Sequence, residues 1–407
     1  MRYVPGMKRA LGVVAGLVIV AAGCSSTTSA TASRTGASRG SNPVAPAGAA
    51  FYAGPTKANG KPGTLVWSRP IPAPPGARAW RILYKSRSVA GRDIVVSGVL
   101  VAPNGPAPAG GRPVVTWAHG TTGTADICAP SKRPDVATTL PDIAQFVKDG
   151  YVVVATDYEG LGTPGLHPYL FGESEGRGVL DAARAARRFP EAHASDNVAI
   201  YGYSQGGHAA LFAGQIAPDY APDLHIVGDV AGAPVGDLPL LLPIATRIPA
   251  YRGLAVMGGF GFAAADPRAD PRPLLTPAAY ALGRRKVEHV CSPGVVDAFS
   301  DPNMKVFTQN PLDVAPWPEL LTANTPGNVK IASPVVALQG LNDELVPPAI
   351  TESWRKRACA LGTVIEVKTY PGQDHVGGYT ASQGDAARWI EDRFGGKPAV
   401  DGCAKAP

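Results

Sequence analysis

Charged side chains are scarce in this chain: only 17% of its 407 residues are Asp, Glu, Lys or Arg, against 45% hydrophobic ones. A disordered polyelectrolyte is thereby excluded, because the apolar content is enough to build an interior. No G-X-Y period accompanies the 48 glycines and 41 prolines, which rules out a collagen-like rod and favours a loop-rich globular domain. No repeat of roughly 20 to 45 residues is visible, so a solenoid is not expected. Neither a C-x-x-C motif nor a Cys/His pair at ligand spacing occurs; no metal, no redox centre and no organic cofactor are expected. Basic residues form no stripe interleaved with aromatics, so nucleic acid is not an expected partner. The apolar run from Ala10 to Ala22 is shorter than the ~20 residues a membrane span requires.

That run belongs to a different device. It follows Arg2, Lys8 and Arg9 and ends in the small residues Val20-Ala21-Ala22-Gly23 before Cys24, the pattern of a bacterial lipoprotein signal peptide over residues 1–23. Cys24 would then carry acyl groups and hold the mature chain on the outer face of a membrane. An ordinary secretory signal with an incidental cysteine is the alternative, since Ala21 stands where Leu is commonest. Either way the protein is exported, to the cell envelope or beyond. Loss of those three cations leaves +3 of the formal net charge of +6, too little to argue for an anionic partner. Residues 24–50, rich in Ser, Thr, Ala, Gly and Pro, read as a disordered tether. Bulky residues start at Phe51, and one catalytic-sized domain is expected over 51–407.

Assigning Cys24 to lipid leaves Cys128, Cys291, Cys359 and Cys403, an even set in an exported chain with three possible pairings. The nearness of Cys359 to Cys403 favours a local staple, which leaves Cys128 for Cys291.

Short β-branched runs alternate with longer amphipathic or Ala-rich segments, the signature of an α/β fold with a mostly parallel sheet covered on both faces. A hairpin is expected at 81–88 and 93–102, then strands at 113–118, 151–156, 198–201, 226–230, 335–339 and 364–369. Helices are expected at 140–148, 175–188, 206–216, 349–360 and 381–393. Nearly a hundred residues, about 234–329, lack a clear strand and read as a helical cap inserted before the late strands. Its apolar start, Leu238-Pro239-Leu240-Leu241-Leu242 with Phe260 and Phe262 further on, suits either a layer completing the core or a lid over an acyl chain.

The chemistry begins at Gly202-Tyr203-Ser204-Gln205-Gly206. A G-x-S-x-G alone is a weak signal in a chain this rich in glycine. Here a strand precedes it and a helix follows, the context in which a strained turn lifts a serine Oγ into the open. A serine needs a base and an acid to orient that base, and in the α/β-hydrolase chain order the acid and then the base follow the nucleophile. Of the seven histidines, His119, His167 and His193 precede Ser204, His208 is one helical turn beyond it, His225 enters a strand, and His289 lies in the cap. His375 alone follows the penultimate strand, in a glycine-bounded loop before the final helix. Asp343, four residues past a strand, is the expected acid, with Glu344 as the adjacent alternative and Asp374 as a spectator. Two N–H donors must hold the oxyanion. The expected ones are the amides of Gln205 and Thr121, with Gly120 next, and His119 would brace their loop.

The motifs His119-Gly120-Thr121-Thr122-Gly123, Cys128-Ala129-Pro130-Ser131, Asp157-Tyr158-Glu159-Gly160-Leu161-Gly162, Gly202-Tyr203-Ser204-Gln205-Gly206 and Gly340-Leu341-Asn342-Asp343 together resemble the secretory lipase family, the lipase A type of yeasts and its actinobacterial relatives. The resemblance covers roughly residues 60 to 403. It implies a triad of Ser204, Asp343 and His375, a helical cap over an acyl tunnel, and disulfides joining Cys128 to Cys291 and Cys359 to Cys403. Gln205 departs from the glycine of the best-known yeast member, so only its backbone amide is carried over as a donor. Tether and lipid signal are outside the family pattern. The expected function is hydrolysis of acyl esters by an exported, lipid-anchored serine enzyme. An envelope acyltransferase using the same triad, or a binding lipoprotein that keeps the fold as an inert frame, remain open on the residues alone.

Overall fold

Residues 45–55 and 60–403 are described in the computed structural model; the signal segment 1–23, Cys24 and the chain up to residue 44 lie outside them. The first helix, α1 (Ala49–Ala53), starts before the point where bulky residues begin, and its Phe51 and Tyr52 are buried in a cluster with Trp67 and Leu83. Helix α1 therefore begins within the last residues of the stretch 24–50 read as tether, held by the burial of Phe51 and Tyr52.

The chain continues through β1 (Leu65–Ile71), β2 (Ala77–Arg87), β3 (Asp93–Pro103), β4 (Arg112–Ala118), α2 (Ile143–Lys148), β5 (Val152–Thr156), α3 (Gly172–Arg187), β6 (Ala194–Tyr203), α4 (Gln205–Tyr220) and β7 (His225–Gly232). Five helices follow: α5 (Leu238–Arg247), α6 (Pro249–Ala265), α7 (Pro277–His289), α8 (Ser292–Ala298) and α9 (Trp317–Ala323). The chain ends with β8 (Val335–Gly340), α10 (Pro348–Ala360), β9 (Ile365–Tyr370) and α11 (His375–Phe394). The sheet order is β1-β2-β3-β5-β4-β6-β7-β8-β9. Its first three strands and the β3–β5 pair are antiparallel, and the pairs from β5 to β9 are parallel. This is the mixed, mostly parallel α/β sheet expected from the sequence.

The two-residue period of the strands builds both faces. Val114, Val152, Val154, Val198 and Ile200 meet α3 and α4 through Val179, Ala182, Ala209 and Ala213. Val115, Trp117, Val153, Ala155 and Tyr201 point the other way, into a core shared with Ile143 and Phe146 of α2, Trp389 and Ile390 of α11, and Val256 and Phe260 of the inserted helices. The inserted segment therefore sits on the same core as the sheet's second face.

Two expectations need correction. β1 escaped the sequence reading because it is an edge strand: Trp67 is its single buried residue, and Pro70, tolerated where no neighbour needs its N–H, reads as a breaker. The final helix begins at His375, not near 381. Asp374 caps it, its carboxylate accepting from the N–H of Gly377 at 2.7 Å, and Gly377 and Gly378, poor helix formers, lie inside its first turn.

One buried acid in β7 has a measurable consequence. Asp229 is fully buried, accepts from the Ser333 hydroxyl, and has no partner for Oδ1 among the described residues. Burial pushes its pKa up to about 7, against about 3.9 in an unfolded chain. Between those values the folded state binds the extra proton, so stability falls as pH rises through that window and levels off above about 7. Three pKa units correspond to at most about 4 kcal/mol. Asp229→Asn is expected to flatten the dependence of Tm on pH between 5 and 8, gaining on the wild type as pH rises. Parallel Tm curves for the two proteins would refute this assignment.

Candidate active site

Ser204 lies at the junction of β6 and α4 with φ 60° and ψ −119°, a left-handed turn a serine adopts only when its surroundings impose it. The two flanking glycines are sterically required. A Cβ on Gly202 would stand 1.9 Å from the Gly206 carbonyl oxygen, and one on Gly206 would stand 1.9 Å from that of Ala118. The Ser204 N–H donates to the Gly232 carbonyl at 2.8 Å, tying the elbow to β7.

His375, at the first position of α11, brings Nε2 to 3.0 Å from Ser204 Oγ and Nδ1 to 2.7 Å from Asp343 Oδ2. Asp343 is buried in the loop after β8. Its Oδ1 accepts from the N–H groups of Leu345 at 3.0 Å and Val346 at 2.8 Å. Three residues distant in sequence thus meet in one hydrogen-bonded line. Glu344 faces solvent, and Asp374 is engaged as the cap of α11. The Tyr203 hydroxyl donates to the His375 carbonyl at 2.9 Å and holds the start of that helix against the elbow.

The loop after β4 approaches the same point. Gly120, Thr121 and Ser204 line one cavity, and the Thr121 hydroxyl lies 2.9 Å from that of Tyr169. As first residue of α4, Gln205 has no carbonyl within its own helix for its N–H. His119 bonds through Nδ1 to the Gly120 carbonyl at 2.6 Å and packs on the Tyr158 ring, while burial lowers its pKa. These contacts hold the ring against the loop.

Cap and loop are stitched together. Cys128 is bonded to Cys291, and Cys359 to Cys403. Around the first bridge, the Ser292 N–H donates to the Thr122 carbonyl at 2.9 Å, the Ser292 hydroxyl to the Thr121 carbonyl at 3.3 Å, and the Thr124 hydroxyl to the Val287 carbonyl at 2.7 Å.

A cavity of about 680 Å³ opens from Ser204 and His375 under the inserted helices, walled mainly by apolar side chains such as Leu241, Leu254, Phe262 and Leu275. Only Leu238 of α5 is buried, because its other apolar side chains border this space or the surface. Among the described residues no group of three or more His, Cys, Asp or Glu could hold a metal, and no helix is long and apolar enough to cross a membrane.

Residues 135–402, more than half of the chain, match the secretory lipase family. The chain belongs to the secretory lipase family. A lipase A of Moesziomyces aphidis is 26% identical over 346 residues, covering 77% of this chain and 72% of that one. A protein of Mycobacterium tuberculosis named a probable inactive lipase is also 26% identical, over 391 residues, 88% of this chain and 84% of that one. The crystal structure of Candida antarctica lipase A in its closed state superposes with a TM-score of 0.73 at 23% identity, covering 85% of this chain and 86% of that one. As a fold, this secretory lipase is an α/β hydrolase.

One buried feature near the elbow was not legible in the sequence. Glu175, His167, His208 and Asn324 form a buried polar cluster behind the elbow. The sequence marks Glu175 only as an acid in the first turn of a helix, which ordinarily signals an exposed partner of the helix dipole.

Proposed function

We propose that this secretory lipase is an exported, lipid-anchored carboxylic ester hydrolase acting on acyl esters of medium or long chain. Ser204 Oγ attacks the ester carbonyl as His375 Nε2 takes its proton, and Asp343 holds the Nδ1–H tautomer that leaves Nε2 free to accept. The amides of Thr121 and Gln205 hold the oxyanion. Collapse expels the alcohol, which receives the proton from His375. Water, deprotonated by the same nitrogen, then cleaves the acyl enzyme and releases the acid. The observation that carries this reading is the unbroken line Asp343–His375–Ser204, with contacts of 2.7 and 3.0 Å, at the end of an apolar cavity. The cavity favours acyl chains over small acyl groups, and acylation of Cys24 would hold the enzyme at a membrane.

A fluorophosphonate should label the intact protein at one site, mapped by mass spectrometry to Ser204. A folded protein that stays unlabelled would leave only a scaffold of the hydrolase type. Rates on p-nitrophenyl esters should rise from acetate to longer chains; activity confined to acetate sinks the chain-length assignment. In cells, the labelled protein should fractionate with membranes, and Cys24→Ser should release it.

A further inference from the structure

Glu175 is fully buried in the first turn of α3, behind the elbow and away from the cavity. Three groups converge on its carboxylate. The Leu170 N–H donates to Oε1 at 3.0 Å, the side-chain amide of Gln205 donates to the same oxygen at 2.7 Å, and Oε2 lies 2.7 Å from His208 Nδ1. The other ring nitrogen of His208 lies 2.8 Å from the Asn324 carbonyl. Both nitrogens of that ring therefore face oxygen: Nε2 donates to the Asn324 carbonyl, which can only accept, and Nδ1 is hydrogen-bonded to Oε2.

The Gln205 side chain is fixed with equal definition. Its NH2 group has two donors, one on Glu175 Oε1 and the other on His167 Nε2 at 2.8 Å. His167 can accept because its Nδ1–H is committed to the Glu159 carbonyl at 2.9 Å and burial pulls its pKa down to about 4. Turning the Gln205 amide over would set its oxygen against the Glu175 oxygen, acceptor against acceptor.

Gln205 and His208 are three apart in α4, so their side chains share one helix face. Both reach the same carboxylate. A first helical turn is weakly held by its own hydrogen bonds, because its leading N–H groups have no carbonyl four residues back. The earliest closing bond here is His208 N–H to the Ser204 carbonyl at 3.1 Å. The peptide plane that carries the Gln205 N–H therefore depends on what grips the Gln205 side chain.

We propose that Glu175 is a positioning residue: by clamping Gln205 and His208 from behind the elbow, it aims the Gln205 main-chain N–H at the point where the ester oxygen gains charge. The proposal rests on Ser204 being the ester nucleophile. It also explains how a long polar side chain is accommodated immediately after that serine.

Glu175→Gln preserves the clamp, since Oε1 still accepts from Leu170 and Gln205 while the new NH2 donates to His208 Nδ1, whose own proton stays on Nε2. Glu175→Ala removes it. With rates normalised to sites counted by fluorophosphonate labelling, Glu175→Ala should lower kcat by ~10- to 100-fold and leave KM within about twofold. The Ki of an alkyl trifluoromethyl ketone, whose hemiketal oxyanion needs the same donors, should rise in parallel. Glu175→Gln should recover kcat to within about threefold of the wild type. A loss of fold alone would reduce the number of labelled sites without changing Ki. A folded Glu175→Ala protein with kcat and Ki within about twofold of the wild type overturns the proposal. If Glu175→Ala does not fold, Gln205→Met cuts the clamp while keeping the Glu175–His208 pair, and an unchanged Ki there overturns it equally. Failure of the wild type to label at Ser204 is a separate result, which removes the esterase reading instead.

Discussion

Asp343→Asn is expected to lower kcat on p-nitrophenyl esters by ~10⁴ while leaving the fold intact. The reason lies in the two oxygens of the carboxylate. Oδ1 accepts from the N–H groups of Leu345 and Val346, and Oδ2 accepts from His375 Nδ1. An asparagine must keep its oxygen on the two backbone donors, so its NH2 group occupies the Oδ2 position and donates to His375. The imidazole then carries its proton on Nε2, 3.0 Å from the Ser204 hydroxyl, and cannot receive another. Ser204→Ala and His375→Ala should each cost ~10⁶ in kcat, and the double variant no more than either single one, because the pair acts as a unit. The measurement is steady-state kinetics on purified, folded variants. If Asp343→Asn keeps more than about a tenth of the wild-type kcat, tautomer control by Asp343 is wrong; if the double variant falls well below the singles, Ser204 and His375 act independently.

The parts of this site that could be read in the sequence are those whose chemistry imposes an order along the chain. The elbow needs small residues at 202 and 206, and the carbonyls of Gly206 and Ala118 show why. Asp343 and His375 follow Ser204 after successive strands, which separates His375 from the six other histidines. The fold class was legible for a similar reason, since Val152, Val153 and Val154 serve two cores by simple alternation. What stayed hidden depends on tertiary burial. Glu175 looks like a surface acid until α3 lies against α4, and His208 looks like a neighbour of the nucleophile until its two nitrogens meet Glu175 and Asn324. The start of α11 was concealed because Gly377 and Gly378 have little helix propensity, and Asp374 offsets this with a cap. β1 was concealed because an edge strand buries only Trp67.

Removal of the Cys128–Cys291 bridge, as Cys128→Ala with Cys291→Ala, is expected to reduce stability and activity together. Removal of Cys359–Cys403 should reduce stability alone. The first bridge closes a loop of 163 residues and the second one of 44. Loop entropy in the unfolded chain puts their contributions at about 5 and about 4 kcal/mol, a difference too small to tell them apart. Their surroundings do. Cys359 and Cys403 pack beside Trp354 and Ile365, and neither lines the cavity at Ser204. Gly123, by contrast, rests directly on the first bridge: a Cβ there would stand 2.8 Å from Cys128 Sγ and 3.0 Å from Cys291 Cα. Two residues earlier is Thr121, whose amide is a proposed oxyanion donor and whose carbonyl accepts from Ser292. Without the bridge, that loop keeps the hydrogen bonds of Ser292 and Thr124 but loses its covalent tie to the cap. Both variants should lose several degrees in Tm, and kcat measured well below either transition should fall by ~10-fold or more only when Cys128 and Cys291 are gone. Equal kcat in the two variants would mean that the cap does not hold the oxyanion loop in place.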